Sequence, residues 1–116
     1  MGIEIEINNL PHHASLKLIK LKGELDILGS KKLMGRVNSL FEEGNFFLIA
    51  DLSNLEYINS SGVCSLLHCF NKTKKKGGFL KLVAVNEYVR EVLEVLGVNR
   101  IIPIYSTLDE AISETK

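Results

Sequence analysis

Ser60, Ser61 and Gly62 stand between an apolar run, Phe46-Phe47-Leu48-Ile49-Ala50, and a segment in which Val63, Leu66, Leu67 and Phe70 recur at helical spacing. Ser60 reads as the N-cap of that helix, its side-chain oxygen accepting from the unpaired N–H groups of the first turn. A phosphoryl group on Ser60 or Ser61 would meet free N–H donors and the positive end of the helix dipole. The competing reading is purely architectural: two hydroxyls and a glycine that do no more than begin a helix.

Other reactive residue types are present but poorly arranged. Asp51, Ser60 and His68 supply the residue types of a hydrolase triad, yet Ser60 lacks the Gly-x-Ser-x-Gly elbow. His68 also falls about two turns along the same helix, out of reach of the Ser60 hydroxyl. His12 and His13 adjoin in a loop and read as solvated groups. Cys64 and Cys69, five apart on one helix, point to different faces, so neither a disulfide nor a zinc site is expected. They read as two small, part-buried side chains. Lys72, Lys74, Lys75 and Lys76 could touch phosphates, but first read as a solvated last turn at the negative end of the helix dipole. No cofactor is expected, and Gly77-Gly78 lacks the Walker pattern that would cradle a nucleotide.

The elements that must position Ser60 follow from hydrophobic period. Ile3, Ile5 and Ile7 alternate with Glu4 and Glu6, an edge strand. Turn formers from Asn8 to His13 lead to Leu16, Leu18, Ile19 and Leu21, a second strand ending near Gly23 and pairing with the first as a hairpin. Gly29-Ser30 opens a helix with Leu33, Val37, Leu40 and Phe41 buried and Gly44 at a left-handed C-cap. Phe46 to Ala50 is a strand buried on both faces, followed by a loop through Ser60 and a helix to about Lys76. Phe79 to Val85 is a strand, Asn86 caps a helix, Ile101 to Tyr105 is a last strand, and Thr107 to Glu110 has the spacing of a capping box. This alternation calls for an α/β fold with a mostly parallel sheet, functional loops gathering where strands end and helices begin.

With 116 residues, 46% of them apolar, the chain is expected to form one domain over 1–116. Its formal net charge is zero, so no global field steers it onto nucleic acid or an anionic membrane; a protein partner or small ligand is expected instead. No apolar run reaches the length of a bilayer span, and Met1-Gly2-Ile3-Glu4 lacks the plan of a secretory signal. A cytoplasmic location is therefore expected.

The stretch from Leu52 to Gly62, centred on Tyr57-Ile58-Asn59-Ser60-Ser61-Gly62, resembles the phosphorylation loop of the STAS domains, the bacterial anti-sigma factor antagonists. Gly23-Glu24-Leu25-Asp26 is similar to the block after that family's second strand, and Leu93 to Val98 resembles its late helix-to-strand junction. The resemblance covers essentially the whole chain, with Asn59 where the family usually has Asp. It implies a mixed sheet of about five strands with about four helices, the first strand antiparallel to its neighbours. It also implies that Ser60 is the acceptor of a serine kinase, with Ser61 and Gly62 as its flank.

The unphosphorylated protein would bind an anti-sigma factor, usually also a kinase of the histidine-kinase-like ATPase fold, and so free a sigma factor. Phosphorylation would end binding, a serine phosphatase would restore it, and the protein itself would catalyse nothing. The expected binding face combines the loop from Tyr57 through Asn59 and Ser60 to Gly62, the outward side of the next helix (Ser61, Cys64, Ser65, His68), and the turn carrying Glu24 and Asp26. These two acids could equally serve only to cap or hydrogen-bond the neighbouring loop. The alternative is a constitutive or ligand-sensing module of the same family that phosphorylation does not regulate.

Overall fold

The computed structural model describes residues 2–114; Met1, Thr115 and Lys116, included in the expected 1–116 span, lie outside the described residues. A five-stranded sheet runs in sequence order from β1 (Ile3–Leu10) through β2 (His13–Leu25), β3 (Phe47–Ile58) and β4 (Phe79–Val83) to β5 (Ile104–Tyr105). β1 and β2 pair antiparallel and every later pair is parallel, so the hairpin and the mixed, mostly parallel sheet are as expected. The four α-helices are α1 (Ile27–Glu42), α2 (Ser60–Lys75), α3 (Glu87–Val95) and α4 (Leu108–Ser113).

The central strands are apolar on both faces because both are covered. Ile19, Leu21, Leu48, Ala50, Leu80 and Leu82 face the main core, which α1, α2 and α3 complete with Leu33, Val37, Leu66, Val89 and Leu93. Leu16, Leu18, Ile49 and Val83 face the other way, against Ala111 of α4. Removing each of these Leu, Ile and Val side chains from water contributes about 1.5–3 kcal/mol, the main driving force for this arrangement.

Several boundaries differ from the sequence reading. β3 continues to Ile58 instead of ending at Ala50, because Leu52, Leu55 and Ile58 keep returning to the core. A register shift near Leu52 absorbs the change of phase, with the Asp51 carboxylate accepting from Ser53 N at 2.9 Å. β2 reaches from His13 to Leu25, longer than expected at both ends. The helix placed at Gly29-Ser30 begins at Ile27, because Asp26 is its N-cap and accepts from Gly29 N at 2.8 Å. β4 stops at Val83, where Ala84 takes a φ of 56°. The last strand is reduced to Ile104–Tyr105, since the turn begun by a short 3₁₀-helix, Val98–Arg100, runs on through Ile101 and Ile102, whose N–H groups donate back to Val98 O. Gly44 and the Asn86 cap stand as expected, Gly44 with a φ of 88° just after α1 and Asn86 accepting from Val89 N at 2.9 Å.

Candidate functional site

The carboxyl ends of β2 and β3 lie side by side, pairing Glu24 with Tyr57 and Leu25 with Ile58. From this shared edge the chain enters α1 through Asp26 and α2 through Asn59. Asn86, the cap of α3, joins the same edge by donating its side-chain N–H to Leu55 O. Three helix N-termini thus gather around one end of the sheet, each capped by an Asn or Asp side chain.

The cap of α2 corrects the sequence reading: it is Asn59, not Ser60. Asn59 has extended backbone and accepts from Gly62 N at 3.1 Å, while its carbonyl accepts from Val63 N at 3.0 Å. An Asn side chain reaches the first-turn N–H as well as a Ser hydroxyl does, and one cap suffices. Ser60 is displaced by one position to open the helix, where its side chain is exposed and not committed to capping. No Asp or Glu stands in the first turn of α2, and Asn59 is neutral, so the positive end of this dipole is uncompensated within the helix. The N–H groups of Ser60 and Ser61 belong to the turn that makes no intrahelical bond.

The remaining expected site residues divide. Tyr57, Ser60, Cys64 and His68 are exposed, and Glu24, Asp26, Asn59 and Ser61 are half-buried along the same edge. Ser65 is not on the outward side: it is buried, and its hydroxyl donates to Gly62 O at 2.7 Å. Gly62 is likewise buried, its α-carbon pressed against the Leu25 carbonyl, so it offers no surface. Asp26 acts as a cap, the role left open for it above. The cysteines separate, Cys64 exposed and Cys69 buried on the inner face of α2, where desolvation pushes the thiol up to about 12.

The sequence reading missed three apolar residues that the fold leaves uncovered here. Ile27 and Leu28, in the first turn of α1, are 58% and 69% exposed, and Tyr88, in the first turn of α3, is 46% exposed. With Tyr57 they add exposed apolar surface to the end of the sheet where α1, α2 and α3 begin. The signal was available as two adjacent large apolar residues after a capping Asp, but placing the helix start at Gly29 left them unassigned.

A family model for the STAS domain matches residues 7–111. An anti-sigma F factor antagonist of Paenibacillus polymyxa is 28% identical over 115 residues, covering 98% of this chain and 96% of that protein. The crystal structure of an anti-sigma factor antagonist from Mycobacterium paratuberculosis superposes with a TM-score of 0.85 at 23% identity, covering 97% of this chain and 93% of the other. The phosphorylated form of the Bacillus cell fate determinant SpoIIAA gives a TM-score of 0.73 at 20% identity, covering 97% and 100%. At these identities the two structural likenesses speak to the fold.

Proposed function

This chain belongs to the STAS domain family, and from that premise we propose that it is an anti-sigma factor antagonist whose binding is switched by phosphorylation of Ser60. The observation that carries the reading is the placement of Ser60. Its side chain is exposed in the first turn of α2 and free of the capping role, and the same end of the sheet presents exposed Tyr57, Ile27, Leu28 and Tyr88. A surface of this kind suits a protein partner: exposed aromatic and aliphatic anchors share one end of the fold with a modifiable group.

A phosphoryl group on Ser60 would sit where the N–H groups of the first turn and the dipole stabilise negative charge, so it would not unfold α2. The effect falls on the partner. An anti-sigma factor pressed against Ile27, Leu28 and Tyr57 would have to accommodate a desolvated dianion in the contact. A coupling of about 3 kcal/mol weakens binding about 150-fold, enough to exchange partners. The kinase that adds the group would be of the histidine-kinase-like ATPase fold, and a serine phosphatase would remove it. No catalytic role is assigned to the chain itself, and it would act in the cytoplasm without touching DNA or membrane.

The test is retention from native lysate on Ser60→Ala and Ser60→Glu baits, read by mass spectrometry. An ATPase-fold protein held by the Ala bait and lost from the Glu bait supports the switch. If both baits hold the same proteins, the surface binds constitutively and the phosphorylation reading fails.

A further inference from the structure

At the other end of α2, about 24 Å from Ser60 along the helix axis, three lysines of the last turn and C-cap meet three phenylalanine rings. Lys72 Nζ lies 6.0 Å over the Phe41 ring, Lys74 Nζ 5.9 Å over Phe70, and Lys76 Nζ 5.9 Å over Phe46. Phe41 and Phe46 stack on each other, centroids 5.2 Å apart and planes 13° from parallel. Beside the stacked pair opens a groove of about 380 Å³ lined by Asn38, Phe41, Glu42, Phe46, Lys72 and Lys76.

We propose that this groove is a docking surface for a partner-protein segment that alternates carboxylate and apolar side chains. Charge complementarity carries the choice. α2 contains no Asp or Glu, so its lysines have no acidic partner within the helix, and Lys72, Lys74, Lys75 and Lys76 are all exposed. Against them stand Glu42 on the rim and its neighbour Glu43, which leaves an excess of positive charge in a chain whose total is zero. Holding the ammonium groups over aromatic faces lays the lysine stems flat and fixes where the charges stand.

The groove is also rigid. Gly78 packs onto Phe46 so closely that a Cβ there would lie 2.9 Å from Phe46 Cβ, and Phe79 N donates to Phe46 O at 3.0 Å. The turn after α2 is therefore packed directly against the Phe46 backbone. Pre-formed walls of this kind lower the ordering cost of binding. Nucleobases are the poorer match, because each ring of the stacked pair has one face against its neighbour and an ammonium group over it, leaving little for base stacking. This surface is separate from the Ser60 loop, and its test does not pass through phosphorylation.

Fluorescence anisotropy at physiological ionic strength, with a labelled peptide alternating Glu and Leu and a control alternating Gln and Leu, tests the proposal. The Glu peptide is expected to bind and the control not. Lys72→Gln combined with Lys76→Gln should weaken binding about tenfold, and Phe46→Leu should weaken it while keeping the site apolar. The remote pair Lys20→Gln and Lys22→Gln should leave it unchanged, with thermal unfolding showing that all variants are folded. The proposal is overturned if both peptides bind alike, if neither binds, or if the remote pair weakens binding equally. Tighter binding to phosphatidylserine vesicles or oligouridylate than to the Glu peptide also overturns it, since the groove would then read phosphate.

Discussion

The α-carbon of Gly62 faces the carbonyl oxygen of Leu25 so closely that no side chain fits between them: a Cβ at 62 would also lie 2.9 Å from both Ile58 Cγ1 and Leu25 Cγ. The start of α2 is thereby wedged against the end of β2. Gly29 repeats the arrangement at the start of α1, against the Glu24 carbonyl. Both helices that frame the candidate site are thus set by backbone-to-backbone contact.

Gly62→Ala should therefore force α2 away from β2 and cost about 1–3 kcal/mol. Gly35→Ala is the contrasting control, since a Cβ there meets nothing within 4 Å and α1 would gain helix propensity. Urea unfolding should place the two variants on opposite sides of the parent; a Gly62→Ala chain as stable as the parent would contradict the wedge.

Asn59 can be probed by changing charge while keeping shape. Asn59→Ala removes the bond to Gly62 N and should cost about 1 kcal/mol. Asn59→Asp keeps the cap and adds a negative charge at the positive end of the dipole, which should stabilise by about 0.3–1 kcal/mol at low ionic strength. That gain should shrink as salt is added, whereas the loss in the Ala variant should not. Chemical denaturation at two salt concentrations separates the two.

Lys81 gives the fold a pH signature. It lies buried in β4, its ammonium group 4.5 Å from the Phe79 ring centroid and 5.3 Å from that of Tyr105, donating to the carbonyls of Ala111 and Glu114 at the end of α4. Burial holds its pKa below the ordinary 10.5, with the Glu114 carboxylate pulling the other way. The unfolded chain then binds this proton more tightly, so stability rises with pH from the depressed folded value up to 10.5. Lys81→Met should abolish that rise and speed amide exchange across α4, whose last carbonyls lose their donor. Unfolding midpoints against pH, with exchange measured at neutral pH, check both.

Cys69 works in the opposite sense. Its thiol is shifted by burial from 9.0 to about 12, so the folded chain holds the proton more tightly and stability falls as pH climbs across that interval. At neutral pH the same shift keeps Cys69 from forming the reactive thiolate. Thiol titration of native protein should label Cys64 rapidly and Cys69 only after denaturation. Rapid labelling of both would mean that α2 opens far more readily than its packing allows.

Ser30 offers a test of polar burial. Its hydroxyl is buried in α1 and, among the described residues, finds no hydrogen-bond partner. Replacing an unsatisfied hydroxyl by hydrogen removes a desolvation penalty, so Ser30→Ala should be neutral or stabilise by up to about 1–3 kcal/mol. A loss of stability in thermal unfolding would show that the hydroxyl is satisfied after all.

Period and capping chemistry, which are local, were enough for the sequence to determine the strand and helix order, the parallel sheet with its antiparallel first strand, the caps at Asn86 and Thr107, and the strand-to-helix junction near which Ser60 lies. A residue's own neighbours set those preferences. Tertiary structure decided what depends on distant atoms. Asn59 took the cap and released Ser60, because the end of β3 fixed which residue turned extended backbone toward the first turn. Ser65 turned inward to Gly62, and Ile27 and Leu28 were left uncovered once α1 began at Ile27, capped by Asp26. Lys81, one polar residue in an apolar strand, acquired its partners only when α4, some thirty residues later in the chain, folded over it. Burial and hydrogen-bond partnership across such separations are properties of packing, and no window of sequence contains both sides of the contact.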